Sequence, residues 1–169
     1  DLVLVSSQGD SYTTRLHSLP EEGWDALNTP VLQEGRLPQA PGECAVVLTR
    51  SFFEDNGWVG RTMTVEEDQE GLPREFTVVG TVKSSLYLSL EQEHSTAGTG
   101  ALGLMAYTVP ETFDQDYYTA AYLTVAGAEG LNSFYEEYEE LAAQAEDVLE
   151  PLGEERARLR YEELIDDAN

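Results

Sequence analysis

The hydrophobic residues change their period once along this chain, near Leu131, and the change separates what each part can fold into. Before it, apolar residues come in short runs such as Leu2-Val3-Leu4-Val5, Cys44-Ala45-Val46-Val47-Leu48 and Leu104 to Val109, each bounded by glycine, proline or polar turn residues. Short apolar runs with such boundaries read as strands. After it, Phe134, Tyr135, Tyr138, Leu141, Ala142, Ala145, Val148, Leu149 and Leu152 recur at spacings of one, three and four, marking one face of a helix. Glu136, Glu137, Glu139, Glu140, Glu146, Asp147 and Glu150 take the opposite face, as a solvated acidic surface.

Within the strand-forming part, Leu2 to Val5 and Tyr12 to Leu16 flank a polar glycine-containing turn and are expected to pair as a hairpin. Thr62 to Glu66 and Phe76 to Val82 flank the acidic turn Glu67 to Pro73 and are expected to form a second antiparallel pair. Thr49 is placed to cap a short helix over 51–56 that Gly57 stops in a left-handed conformation. Ala121 to Val125, bounded by Gly127, reads as one more strand. Gly153 interrupts the helical pattern, and Glu154 to Ala168 reads as a separate last helix. The expected fold class is therefore α+β. It comprises a mixed or antiparallel sheet, a short helix after the Cys44–Leu48 strand and long C-terminal amphipathic helices, in one domain of residues 1–169 that divides at most into two subdomains.

Composition narrows the function. Nine Lys and Arg stand against 33 Asp and Glu, a formal net charge of -24, and such a surface repels phosphates and anionic headgroups, so nucleic acid is not an expected partner. The single cysteine, Cys44, permits no internal disulfide, and with only His17 and His94 beside it no Cys/His zinc cluster can form. Inside an apolar run, Cys44 reads as a small core hydrophobe. No run of about 18 apolar residues is present to cross a bilayer. The chain opens on Asp1 and enters a strand at once, which reads as a segment of something longer.

Motifs for chemistry are present in letters and fail in context. Gly98-Thr99-Gly100-Ala101-Leu102-Gly103 matches G-x-G-x-x-G, but a polar stretch precedes it and a strand-like run follows. A dinucleotide site needs strand before and helix after, so that the helix N-terminus meets the pyrophosphate. A loop between strands is the expectation. No G-x-S-x-G is present for a serine nucleophile. His94, beside Glu91, Glu93 and Ser95, offers a base and orienting acids for a hydrolase, yet a polar loop produces such neighbours by chance. Neither a catalytic group, a cofactor nor a metal site is expected.

The order of elements from Glu34 to Val82 carries a resemblance. Gly35-Arg36-Leu37-Pro38, then Gly42-Glu43 leading into the Cys44–Leu48 strand, then Gly57-Trp58-Val59-Gly60-Arg61-Thr62, then Phe76-Thr77-Val78-Val79-Gly80 resembles the MacB-like periplasmic core domain of FtsX-like ABC-transporter permeases. Leu86 to Glu91, the Gly98–Gly103 loop, Tyr122 to Val125 and Glu155 to Glu163 look like a branch found in Gram-positive permeases. The resemblance implies a non-catalytic domain outside the cell membrane, on the extracytoplasmic side. It would couple ATP-driven movement to a substrate or partner there. Its implied partners are the transmembrane helices of the same parent chain, a separate ABC ATPase subunit, a second permease and an extracellular cargo. Gly35, Arg36, Pro38, Gly42, Glu43, Gly57, Gly60, Phe76, Val79 and Gly80 would be fold determinants, with Arg36 and Glu43 paired across their turn. Tyr87, Glu91, Gly98 and Gly100 would lie on a loop available for interaction. The alternative is an extracellular module that binds a peptide, lipoprotein or cation through this loop or the acidic helix.

Overall fold

The computed structural model describes residues 1–19, 27–48, 57–69, 71–88, 93–114 and 119–167. They belong to two compact units, Asp1–Thr119 and Ala120–Asn169.

Among the described residues the first unit contains seven strands: β1 (Leu2–Ser6), β2 (Ser11–Ser18), β3 (Val31–Gly35), β4 (Glu43–Val47), β5 (Thr62–Val65), β6 (Glu75–Lys83) and β7 (Leu104–Thr108). Six of them close into a barrel in the order β1-β2-β7-β4-β6-β5, with β5 returning to β1. The expected hairpin is present, with Leu4 opposite Tyr12, and so is the β5–β6 pair, with Met63 opposite Phe76. The β2–β7 and β4–β6 ladders are parallel.

Strand β4 runs along one edge of β6, while β5 and then β3 occupy the other edge end to end. Glu75 to Thr77 face β5, and Gly80 to Lys83 face β3. The changeover falls at Val79, where the β4–β6 register slips by one residue, and a bulge of this kind bends and twists a strand. There Gly35 lies opposite Gly80. A Cβ on Gly35, whose φ is +72°, would stand 2.3 Å from the Val79 carbonyl oxygen, and one on Gly80 would stand 2.1 Å from that of Arg36. Only glycine allows the two backbones to approach so closely.

The core is divided by the barrel wall. Leu2, Leu4, Cys44, Val46, Met63, Val65, Phe76, Val78, Leu104 and Ala106 fill the interior with Trp58. The alternate residues Ala45, Val47, Met105 and Tyr107 point outward into a second cluster with Leu19, Val82 and Leu102. Strands β4 and β7 are thus buried on both faces, which is why they read as unbroken apolar runs. Cys44 is in the interior, and burial pushes its thiol up to about 12.

The fold class departs from the α+β expectation. Among the described residues the first unit is mostly a closed barrel, and in the second a long helix, α1, runs unbroken from Glu136 to Asp167. Gly153 does not end it, since it keeps a helical backbone and is not among the left-handed glycines. Pro151 removes one backbone donor without stopping the helix. Arg158 pairs with Glu155 and Glu162, and Arg160 with Glu163, at the i,i+3 and i,i+4 spacings that support a helix. The expected short helix at 51–56 lies outside the described residues. Ala121 to Val125 is not a strand. Turns follow it at 125–128 and 128–131, and Leu123 and Val125 line a groove with Tyr138, Leu141 and Ala142 of α1 instead of joining a ladder.

Two substitutions separate close packing from open space. Gly80→Ala is expected to cost roughly 3 kcal/mol or more in urea unfolding of the barrel, whereas Gly153→Ala is expected to stabilise α1 by up to ~1 kcal/mol by thermal circular dichroism. Equal effects at the two sites would contradict the crossing described here. The Cys44 thiol should resist alkylation in the folded chain and react at the rate of barrel opening, so fast labelling under native conditions would count against its place in the core.

Candidate functional site

The residues that carry the family resemblance gather along β6 and the turns beside it. Arg36 follows β3, and its guanidinium forms a two-pronged contact with Glu43 at 2.5 and 2.7 Å while also donating to the Leu37 carbonyl. The Gln39 backbone N–H donates to the same carboxylate at 2.9 Å. These bonds, the Arg36 contact foremost, hold Glu43 down at about 2, so it stays ionised. Pro38 is buried beneath the turn. The Gly42 carbonyl accepts from Thr77 N–H, and Gly60 N–H donates to the Val78 carbonyl. The Gly57 carbonyl accepts from Arg61, whose guanidinium lies 4.6 Å from the Trp58 ring. Phe76 is fully buried and Val79 half-buried. Every polar group named here is committed to fixing backbone, and the assembly is a structural joint.

A second constellation lies on β2. Thr13, Arg15 and His17 alternate along this strand and so share one face. Together they hold the connection between β6 and β7. The Thr13 carbonyl accepts from Gly103 N–H, and its hydroxyl accepts from Thr99 N–H. Arg15 holds Asp1 at 2.8 and 3.0 Å, contacts Glu93 and donates to the His94 carbonyl. His17 hydrogen-bonds the Tyr87 hydroxyl and stacks on Tyr107, with ring centroids 5.2 Å apart. Tyr107 in turn shares a 2.7 Å hydrogen bond with Ser84. Burial first, then the Arg15 charge, lower the affinity of His17 for a proton, and burial raises Tyr87.

This arrangement decides what the expected interaction loop can do. Tyr87 is tied to His17 and half-buried. Gly98 lies against β1 and β2, where a Cβ would meet Thr13 Oγ1 at 2.4 Å and Val3 at 2.8 Å. Gly100 turns the chain between His94 and Ala101, which form an antiparallel bridge. Glu91 lies outside the described residues. The glycine motif therefore makes a tight turn docked on β2, and the strand β7, not a helix, follows it. Glu93, the acid beside His94, is engaged by Arg15. Among the described residues no group of three His, Cys, Asp or Glu side chains could hold a metal ion.

Neither Arg15 nor His17 is singled out as a site residue by the sequence. The available signal was the polar alternation Thr13, Arg15, His17 on a strand whose other positions, Tyr12 and Leu16, belong to the interior. No family model, curated protein or solved structure matches the chain.

The depressed His17 proton affinity has a defined sign. The unfolded chain takes up the proton more readily, so this contribution to stability is complete above the ordinary imidazole range and declines as pH falls from about 6.5 through the folded value. Urea midpoints measured at neutral and mildly acid pH should fall more steeply for the natural chain than for His17→Phe. Parallel pH curves for the two proteins would exclude His17 as the cause.

Proposed function

We propose that this chain is a non-catalytic extracytoplasmic domain of an FtsX-like ABC-transporter permease. It is carried at the cell membrane by transmembrane helices of its parent chain and moved by a separate ATPase subunit. The observation that supports this most is the convergence of the motif residues. Gly35, Arg36, Pro38, Gly42, Glu43, Gly57, Gly60, Phe76, Val79 and Gly80 gather around strand β6 and the turns beside it. A set of residues defining a module would have this character, and a set shared for chemistry would instead converge on a cleft with groups left available to a substrate. The resemblance rests on these residues and not on fold class.

In such a role the barrel transmits force as a stiff body. Its strands are hydrogen-bonded around a closed circuit, and its longest connection with described residues is pinned by Thr13, Arg15 and His17. Movement driven by ATP would then displace the unit as a whole toward a second permease or a cargo.

The buried Cys44 thiol leaves this region without a reactive background. In the full parent protein, Lys83→Cys introduces an exposed thiol. Labelling of intact cells by a membrane-impermeant maleimide, together with copurification of a P-loop ATPase, is the expected result. Labelling only after lysis, or a parent reading frame without membrane-spanning segments, would overturn the proposal.

A further inference from the structure

In the second unit, the segment that follows Ala120 folds back by two turns and lies against the first part of α1. Between them is a groove of about 410 Å³, lined chiefly by Leu123, Val125, Ala128, Tyr138, Leu141 and Ala142. Tyr138, Leu141, Ala142 and Ala145 are half-buried. The same helical stripe then continues without cover, since Val148 is 65%, Leu149 42% and Leu152 59% exposed. Its spacing of three and four is that of a helix-pairing seam. Arg156 interrupts the stripe at its next position, and the half-buried Leu159 resumes it one turn on.

The charges beside the seam define what can lie on it. On a helix of 3.6 residues per turn, Glu137 and Glu155 flank one side of the stripe and Glu139 and Glu146 the other. No Lys or Arg occurs between Lys83 and Arg156, and from Ala120 to Asn169 there are fourteen carboxylates against three arginines. A second copy of α1 would bring acids against acids. Its arginines would offer little relief, because Arg158 is already paired with Glu155 and Glu162 of its own helix, and Arg160 with Glu163. A neighbour carrying cations would supply the missing charge.

We infer that the groove and exposed stripe of α1 form a docking surface for an amphipathic helix of another protein, one whose apolar seam is bordered by Lys and Arg. Seam contacts supply the apolar burial, and the flanking cations match the acidic shoulders and set register. This inference stands on the second unit alone and is independent of the permease proposal.

The probe is a fluorescent three-heptad peptide with leucine at its seam and Lys or Arg beside it, titrated into the full 169-residue chain at physiological ionic strength. Saturable one-to-one binding is expected. It should weaken by about tenfold or more, over 1.4 kcal/mol, with the Leu149→Glu/Leu152→Glu variant and with a peptide of the same composition whose seam is scrambled. Circular dichroism of that variant checks that α1 persists, and Glu137→Lys/Glu146→Lys, which leaves the seam intact, should weaken binding as well. Equal binding of the scrambled peptide would reduce the effect to general charge attraction and overturn the inference. So would undiminished binding by the leucine variant, or sedimentation of the natural chain as a dimer that this variant dissociates.

Discussion

Where β3 meets β6, two glycines face each other so closely that neither can carry a side chain, and β3 joins the outside of the closed circuit only through that crossing. Strand β6 must serve β5 at its start and β3 at its end while keeping β4 along its other edge. A strand has two edges, so a third neighbour is possible only if two of them share one edge in sequence. The register slip at Val79 turns the strand enough for that handover, and Gly35 and Gly80 let the β3 backbone approach at the turn. The Arg36–Glu43 contact then fixes the chain as it leaves β3 for β4, so the joint is held by backbone fit on one side and by charge on the other.

Strand β4 is buried on both faces. Being set between β6 and β7, it sends Cys44 and Val46 into the barrel and Ala45 and Val47 into the outer cluster. The outer cluster includes Tyr107 and Leu102 and is partly covered by Tyr87. His17 connects these pieces by stacking on Tyr107 and bonding Tyr87, and Arg15 beside it secures Glu93 and the His94 carbonyl. One face of β2 thereby does for the β6–β7 connection what the glycine pair does for β3. In both places a short connection of polar or backbone groups replaces a hydrophobic cover, which suits a chain in which charged residues outnumber what the core can hide.

Local order was legible in the residues. The β1–β2 hairpin and the β5–β6 pair follow from alternating apolar runs around polar turns, and both have the expected partners. The Arg36–Glu43 pair also followed from opposite charges across a glycine-rich turn. Closure was not legible, because the parallel β2–β7 and β4–β6 ladders join residues far apart in sequence and leave no local trace. The Thr13, Arg15 and His17 set was hidden for the same reason, since its partners lie some seventy to ninety residues away. At the other end, local signals were too strong a guide. Gly153 and Pro151 normally end helices, yet α1 passes both, and Tyr122 to Val125 has strand composition without a strand beside it.

The continuity of α1 changes how its exposed side chains should be understood. Two short helices meeting at Gly153 could fold onto each other and hide Leu149 and Leu152 between them. A single rod of 32 residues cannot do so. Its length is about 48 Å at 1.5 Å per residue, and along most of it the acids keep like-charged rods apart. Helices in proteins owe most of their stability to packing of an amphipathic face, and the carboxylates at the start of α1 help by meeting the positive end of its dipole. Acids farther along receive no such benefit and repel one another, so they weaken the isolated helix. A chain that keeps both the uncovered leucines and the surrounding negative charge bears two costs that one kind of neighbour removes together, an apolar helix edged with cations.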